Sequence, residues 1–140
     1  MADFSPLAAT VNVALGGAAG AALRYQSGRA MTQWLGPQAV MTFPWATLAV
    51  NALGSVLMGV LAGWLARQGA AGVGGGGEQA RLLLGVGLLG GFTTFSAFSL
   101  ELVLLIERGQ YTIAALYAFL SFALGVSGLM FGLTVMRVAS

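Results

Sequence analysis

The middle of the chain reads GVGLLGGFTTFSAFSLE at residues 85–101, inside an apolar segment that extends from residue 82 to residue 106. About 20 apolar residues are enough for a helix to cross the hydrocarbon core of a bilayer. The centre of the segment is nevertheless a poor helix, because two glycines are followed by a phenylalanine and two β-branched threonines. Hydroxyls and exposed backbone are tolerated at that depth only against protein or a water-filled cavity. The sequence therefore predicts a transmembrane helix broken at mid-membrane.

The composition of the chain is that of a membrane protein. Of its 140 residues, 58% are hydrophobic and 7% are charged, which excludes an ordinary soluble domain. The chain has no histidine, cysteine or lysine, so the usual ligands of zinc, iron–sulfur and haem sites are missing. Serine–histidine, cysteine and Schiff-base catalysis are excluded for the same reason, and we expect no enzyme activity. The pI near 9.7 comes from scattered arginines rather than a basic run, so no nucleic-acid partner is expected.

Hydrophobic runs predict an all-α membrane protein with four transmembrane helices, forming a single domain over residues 1–140. The spans are placed at about residues 6–23, 44–65, 82–106 and 111–136. Residues 24–43 are expected to form a partly helical connection at the membrane interface, and the glycine-rich residues 67–81 a flexible loop. The short link at residues 107–110 makes the third and fourth spans antiparallel neighbours.

Small and polar residues recur every four positions in these spans, which places them on one helix face. The second span carries such a stripe, made of Thr47, Asn51, Ser55, Gly59 and Gly63. In the fourth span the corresponding residues are Tyr117, Ser121 and Gly125. Two glycine pairs with the same spacing, Gly16 with Gly20 and Gly128 with Gly132, predict close helix packing.

The distribution of arginines does not favour one orientation of the chain in the membrane over the other. With four spans, Arg67, Arg81 and Arg137 fall on one side, and Arg24, Arg29 and Arg108 on the other. Because an excess of arginine and lysine marks the cytoplasmic side, a balance of three against three predicts insertion in both orientations. Two oppositely inserted copies would assemble as an antiparallel homodimer.

Three pieces of the sequence resemble the Fluc (CrcB-type) fluoride channels: GGAAGAALRY at residues 16–25, PWATLAVNALGS at residues 44–55, and GGFTTFSAFSLE at residues 90–101. Together with Tyr117 and Ser121, these pieces extend the resemblance over nearly the whole chain. The resemblance implies a multi-pass protein of a prokaryotic inner or plasma membrane that exports cytoplasmic fluoride passively. It also implies a dual-topology antiparallel dimer with two fluoride pores and a structural sodium ion on the two-fold axis.

The resemblance assigns a role to each matching residue. Gly90 and Thr93 would offer backbone carbonyls to the sodium ion. Phe95 and Phe98 would line the pores as an aromatic box, and the amide of Asn51 would donate to fluoride. The remaining expected pore residues are Tyr117 and Ser121 in a polar track, Thr94, Arg24 near an aqueous vestibule, and Glu101.

Two positions depart from the family pattern. Ala97 stands where a hydroxyl residue is usual, and Gly125 stands where the polar track often has another hydroxyl. The track is therefore either shorter in this chain or completed by Thr94, Ser96 or water. Glu101 either extends towards the interface or marks a pore mouth.

Other interpretations of the same residues remain open at this stage. Phe95 and Phe98 also suit helix packing, and Asn51 also suits a hydrogen-bonded clamp between helices. A small dual-topology multidrug transporter has the same number of spans, but it needs a carboxylate in its first span, and residues 6–23 contain none. A structural membrane subunit would make no use of Asn51 or the phenylalanines.

Overall fold

The computed structural model describes residues 5–70 and 76–139, and the chain is helical over nearly all of them. Its elements in chain order are α1 Pro6–Leu35, α2 Pro37–Thr42, α3 Trp45–Ala70, α4 Gly76–Ala80, a π-helical segment Arg81–Leu89, α5 Gly90–Phe92, α6 Phe95–Glu107 and α7 Tyr111–Val138. Four stretches are long and apolar enough to cross a membrane, namely Pro6–Leu35, Trp45–Gly69, Gly76–Glu107 and Tyr111–Val138. The predicted all-α architecture with four spans is confirmed.

Helix α1 is longer than the sequence predicted. It begins at Pro6, where the Ser5 hydroxyl accepts a hydrogen bond from the backbone N–H of Ala8, and it ends only at Gly36, whose φ is 85°. Residues 24–35 continue the helix because good helix formers predominate among them and no proline interrupts them. At 1.5 Å per residue, its 30 residues extend about 45 Å. A hydrocarbon core is about 30 Å thick, so a helix of this length either extends beyond it or lies tilted in it.

The predicted flexible loop at residues 67–81 is partly helical. Helix α3 continues to Ala70 and α4 begins at Gly76. Residues 71–75 of this predicted loop lie outside the described residues. Arg81, the first residue of the π-helical segment, forms a 2.7 Å ion pair with Glu78 on the exposed side of α4.

The connection between α6 and α7 is as short as the sequence predicted. Gly109 has a φ of 72°, and its N–H donates to the carbonyl of Ile106 at 2.9 Å. The N–H of Gln110 then donates to the carbonyl of Leu105 at 2.9 Å, which closes the end of α6. Helices α6 and α7 therefore run antiparallel, side by side.

Glycines bring two pairs of helices into backbone contact. A Cβ atom on Gly16 of α1 would lie 2.8 Å from the backbone nitrogen of Leu88 in the π-helical segment. A Cβ atom on Gly132 of α7 would lie 2.8 Å from the backbone nitrogen of Val60 in α3. No side chain larger than hydrogen fits at either point, so the predicted close packing is confirmed. We call these contacts the α1 seam and the α3–α7 seam.

The third span is interrupted between α5 and α6. Helix α5 ends at Phe92, and Thr93 and Thr94 have extended backbones with ψ values of 160° and 123°. Helix α6 then begins at Phe95, where the Thr94 hydroxyl accepts a 3.2 Å hydrogen bond from the N–H of Ala97. The glycine pair and the two threonines weaken the helix at this point, and the Thr94 side chain caps the new one.

Candidate functional site

The interruption in the third span is joined to α3 by the side chain of Asn51. Its amide nitrogen donates to the Thr94 carbonyl at 2.9 Å, and its carbonyl oxygen accepts from the Thr94 N–H at 2.8 Å. Both polar groups of one backbone residue are thus satisfied by one side chain that is 43 positions away in sequence. Asn51 is half-buried and Thr94 is buried. Such pairing is what a non-helical residue needs inside an apolar protein.

The interruption also changes the surroundings of two backbone carbonyls. In a continuous α-helix, Gly90 C=O would accept from the N–H of Thr94, and Thr93 C=O from that of Ala97. Here the Thr94 N–H donates to the Asn51 side chain, and the Ala97 N–H donates to the Thr94 hydroxyl. Gly90 and Thr93, the residues predicted to face a cation, therefore lose their helical partners. In residues 5–70 and 76–139, no cluster of three histidine, cysteine or acidic side chains could hold a metal instead.

The carboxylate of Glu101 in α6 is bound to Thr47, which lies one turn before Asn51 in α3. One oxygen of Glu101 accepts a 2.7 Å hydrogen bond from the Thr47 hydroxyl, and the other accepts a 2.6 Å hydrogen bond from the Tyr117 hydroxyl. Thr47 is buried, and Tyr117 is fully buried. The three side chains come from α3, α6 and α7, and they fix α6 between its two neighbours.

The two phenylalanines of α6 have different environments. Their ring centroids are 5.7 Å apart, as expected for residues one turn apart. Phe98 is partly buried and contacts Tyr117 with a centroid distance of 5.2 Å, next to a core cluster that includes Phe43. Phe95, by contrast, is 79% exposed. Phe98 therefore belongs to the interior of one chain, whereas Phe95 faces outwards.

Two cavities follow the polar stripes of α3 and α7. The first, of ≈ 280 Å³, is lined by Asn51, Ser55, Thr94 and Phe95 among others. The second, of ≈ 390 Å³, shares Ser55 with the first and also contacts Ser121. Within the part of the chain that the structure describes, the Ser121 hydroxyl oxygen is buried without a hydrogen-bond partner. A line of hydroxyl and amide groups therefore extends beside both cavities.

The remaining predicted residues and the two departures also have defined positions. Arg24 lies apart from the others, in a separate cavity of ≈ 570 Å³ that Arg29 of the same helix also lines. A Cβ atom on Gly125 would be 3.7 Å from the Ser55 hydroxyl oxygen, so the missing hydroxyl of α7 faces that of α3. Near Ala97, the hydroxyls of Ser96 and Thr94 are 3.4 Å apart.

Sequence reasoning placed Thr47 in the polar stripe but did not assign it to the site. The available signal was its position four residues before Asn51, which puts both on one face of α3. The aromatic contact of Phe43 with Tyr117, at a centroid distance of 5.5 Å in an edge-on arrangement, was missed entirely. Nothing in the pattern of residues 24–43 indicated that Phe43 would reach α7.

Comparison with known proteins gives a consistent result. A family model described as CrcB-like protein, camphor resistance, matches residues 11–133. A protein of Erythrobacter litoralis, named fluoride-specific ion channel FluC, is 60% identical over 99% of this chain and 98% of its own length. Proteins of the same name from Novosphingobium aromaticivorans and Phenylobacterium zucineum are 59% and 53% identical, over 94% and 89% of this chain and 98% and 92% of their own lengths.

Proposed function

Because this chain belongs to the CrcB-like protein family, we propose that it is a fluoride-specific ion channel that lets cytoplasmic fluoride leave the cell passively. The proposal rests on its similarity, over nearly its whole length, to bacterial proteins named for that activity. The chain is a multi-pass membrane protein with four spans, and a channel rather than an enzyme. The line of donors beside the two cavities supplies the chemistry that the activity needs.

Fluoride is small and holds its water strongly, so a pore must replace the hydrogen bonds that the ion loses. The Asn51 amide has two N–H groups, and the Thr94 carbonyl accepts a bond from this nitrogen. Its other N–H and the hydroxyl of Ser121, which has no protein partner among the described residues, are available donors beside the cavities. Several weak contacts in series let an ion enter and also leave.

The aromatic side chains contribute a second kind of contact. A phenylalanine ring carries negative charge on its faces and positive charge at its edge, so an edge-on ring attracts an anion. Phe98 would supply such an edge from the interior of its own chain, where it packs against Tyr117. Phe95 would supply another from its exposed position. A narrow passage between ring edges admits fluoride and excludes larger anions by size.

The functional unit is an antiparallel homodimer with two pores, one Phe95 and one Phe98 from different subunits lining each. Three arginines at each side of the membrane leave both orientations open to the chain. The outward position of Phe95 supports a partner at that point, because the exposed ring lies next to the polar cavity of Asn51. Arg24, which is remote from the cavity in one chain, would line the water-filled entrance between subunits.

We further propose that the break in the third span lies near the centre of the membrane, where it would hold a structural sodium ion between the two chains. Gly90 and Thr93 of each chain would bind it through their backbone carbonyls, since both carbonyls lose their helical N–H partners. Neutral carbonyl oxygens suit a hard monovalent cation in a site without carboxylates. The ion supplies positive potential close to the path of an anion.

The test is ion efflux from liposomes that contain the purified protein, with fluoride compared with chloride. We expect fast fluoride efflux and chloride efflux no greater than that of protein-free liposomes. Equal efflux of both anions would contradict a fluoride-specific channel. Proton-coupled movement of an organic cation without fluoride efflux would instead favour the multidrug-transporter alternative.

A further inference from the structure

We infer that Asn51 is a positioning residue, whose amide holds the third span open by taking the place of the helix hydrogen bonds at Thr94. We call the two hydrogen bonds between the Asn51 side chain and the Thr94 backbone the clamp. The effect of the clamp on ion passage rests on the proposed channel function, but the existence of the clamp does not. This positioning role differs from direct contact with the ion, because the oxygen and one N–H of the Asn51 side chain bind the backbone of Thr94. The other N–H stays available to an ion.

The geometry of the clamp carries the inference. The Thr94 N–H, which would close a helical turn onto Gly90 C=O, is diverted 2.8 Å to the Asn51 side-chain oxygen. The Thr94 carbonyl is bound in return by the Asn51 nitrogen at 2.9 Å. An amide side chain offers one acceptor and a donor in the same plane, as a peptide unit does. Asn51 thus supplies hydrogen bonds to both polar groups of Thr94 in the open form of the helix.

The clamp also explains why the Thr94 N–H does not return to its helical acceptor. If Asn51 released Thr94, this N–H would need another partner, and Gly90 C=O is its acceptor in a continuous α-helix. Closure would reposition Phe95, which follows Thr94 directly, and would withdraw the Gly90 carbonyl from any cation. Through Thr94, Asn51 would therefore position both groups from a neighbouring helix.

Asn51→Asp gives a sharp test, because its protonation state decides whether the clamp exists. An ionised aspartate can only accept, so it would bind the Thr94 N–H and repel the Thr94 carbonyl. A protonated aspartic acid has one acceptor and one donor, and it would restore both hydrogen bonds. It would have no further N–H to give to fluoride. The same variant therefore separates positioning from direct ion contact.

The first measurement is hydrogen exchange in residues 92–97 of the protein in liposomes, without fluoride. We expect Asn51→Ala to raise exchange at least tenfold, equivalent to about 1.4 kcal/mol of lost protection. After correction for the intrinsic pH dependence of amide exchange, Asn51→Asp should exchange like the unmodified chain at low pH. At high pH the ionised side chain still holds the Thr94 N–H but repels the Thr94 carbonyl, so exchange should be faster than in the unmodified chain and slower than in Asn51→Ala. Unchanged exchange in Asn51→Ala, or exchange in Asn51→Asp that does not depend on pH, would overturn the clamp.

The matched control is Asn12→Asp. The Asn12 amide donates to the Ala8 carbonyl of its own helix at 2.8 Å and bridges no elements. Exchange in residues 92–97 of this control should equal that of the unmodified chain. Hydrogen exchange of the unmodified chain over the same pH range shows any effect that titration of another group has on residues 92–97. Glu101 is the nearby acid, since its carboxylate is bound by Thr47, one turn from Asn51.

The second measurement is fluoride efflux of Asn51→Asp over the same pH range, corrected with protein-free liposomes. If Asn51 acts by positioning, efflux should recover together with the protection of residues 92–97. Recovered protection with efflux still at least tenfold lower would assign the effect of Asn51 on ion passage to its other N–H and overturn positioning as the cause of that effect. An unmodified chain that passes no fluoride would refute the proposed function, whereas the exchange measurements would still decide the clamp.

Discussion

The Tyr117 hydroxyl donates a 2.6 Å hydrogen bond to Glu101, which lies 16 positions earlier in the chain and on a different helix. The Thr47 hydroxyl holds the other carboxylate oxygen at 2.7 Å. A carboxylate within a membrane span is costly unless it is paired or hydrated, and two hydroxyl donors reduce that cost. The same arrangement shows that the interior of this chain already presents donors to an anion.

Replacing Tyr117 with phenylalanine removes the hydroxyl and keeps the ring. Glu101 would then lose a buried donor, and we expect unfolding free energy to fall by about 1–3 kcal/mol. We also expect slower fluoride efflux, because Glu101 loses a hydrogen bond that holds α6 beside α7. Thermal unfolding and liposome efflux measure the two effects. Tyr111→Phe is the control, since Tyr111 is 68% exposed and should tolerate the change.

Phe98→Ile separates a pore role from a packing role. A hydrophobic replacement of fair size in a core usually costs less than about 1.5 kcal/mol, so the protein should stay folded. If the ring edge contacts the ion, efflux should fall at least tenfold, because about 1.4 kcal/mol added to the barrier has that effect. Phe131→Ile, at a 63% exposed position on α7, should retain normal efflux. Normal efflux in a folded Phe98→Ile protein would place the pore elsewhere.

Gly20→Ala tests the α1 seam. The added Cβ would lie 2.8 Å from the backbone nitrogen of Phe92, and backbone atoms cannot move aside as a side chain can. We expect a loss of about 1–3 kcal/mol of unfolding free energy, as for other overpacked sites. Gly28→Ala is the matched control in the same helix, because no atom lies within 4 Å of its added Cβ. That variant should be as stable as the unmodified protein or gain up to about 1 kcal/mol.

The balance of arginines predicts insertion in both orientations. A reporter fused to the C-terminus should be detected on both sides of the membrane in comparable amounts. Two or three arginines added at one terminus should fix a single orientation and reduce fluoride efflux, because oppositely oriented partners would become scarce. A single orientation for the unmodified chain would contradict the antiparallel homodimer.

Features that depend on neighbouring residues were predictable from the sequence. The glycine pairs of α1 and α7 predicted the seams through their spacing, and the two glycines with two threonines predicted the interruption before α6. The four-residue period of the α3 stripe placed Thr47 and Asn51 on one face. Each of these depends on helical periodicity or on a local preference of the backbone.

Features that depend on pairs of distant residues were not predictable. The sequence allowed two roles for Glu101, as a charge at the membrane interface or at a pore mouth. Neither role predicted which residues would hydrogen-bond to its carboxylate. Its hydrogen bonds with Thr47 and Tyr117 join three helices, and helical periodicity gives no information on how those helices are rotated against one another. Residues 24–43 were predicted to be partly helical, but not to continue α1 without a break as far as Leu35, because Arg24 was taken as the end of the span. A charged residue ends an apolar stretch but does not end a helix.

The two seams determine where the chain can vary. Large apolar side chains cover much of its outer surface, among them Leu7, Phe119 and Val138. Where such residues contact lipid, one apolar residue can replace another with little consequence. In the seams only glycine fits, because backbone meets backbone. In a soluble protein the packing of large buried side chains largely determines how the elements fit together. In this chain the glycines of the seams determine how the helices pack. A mutational scan should therefore find the fewest tolerated substitutions at these glycines.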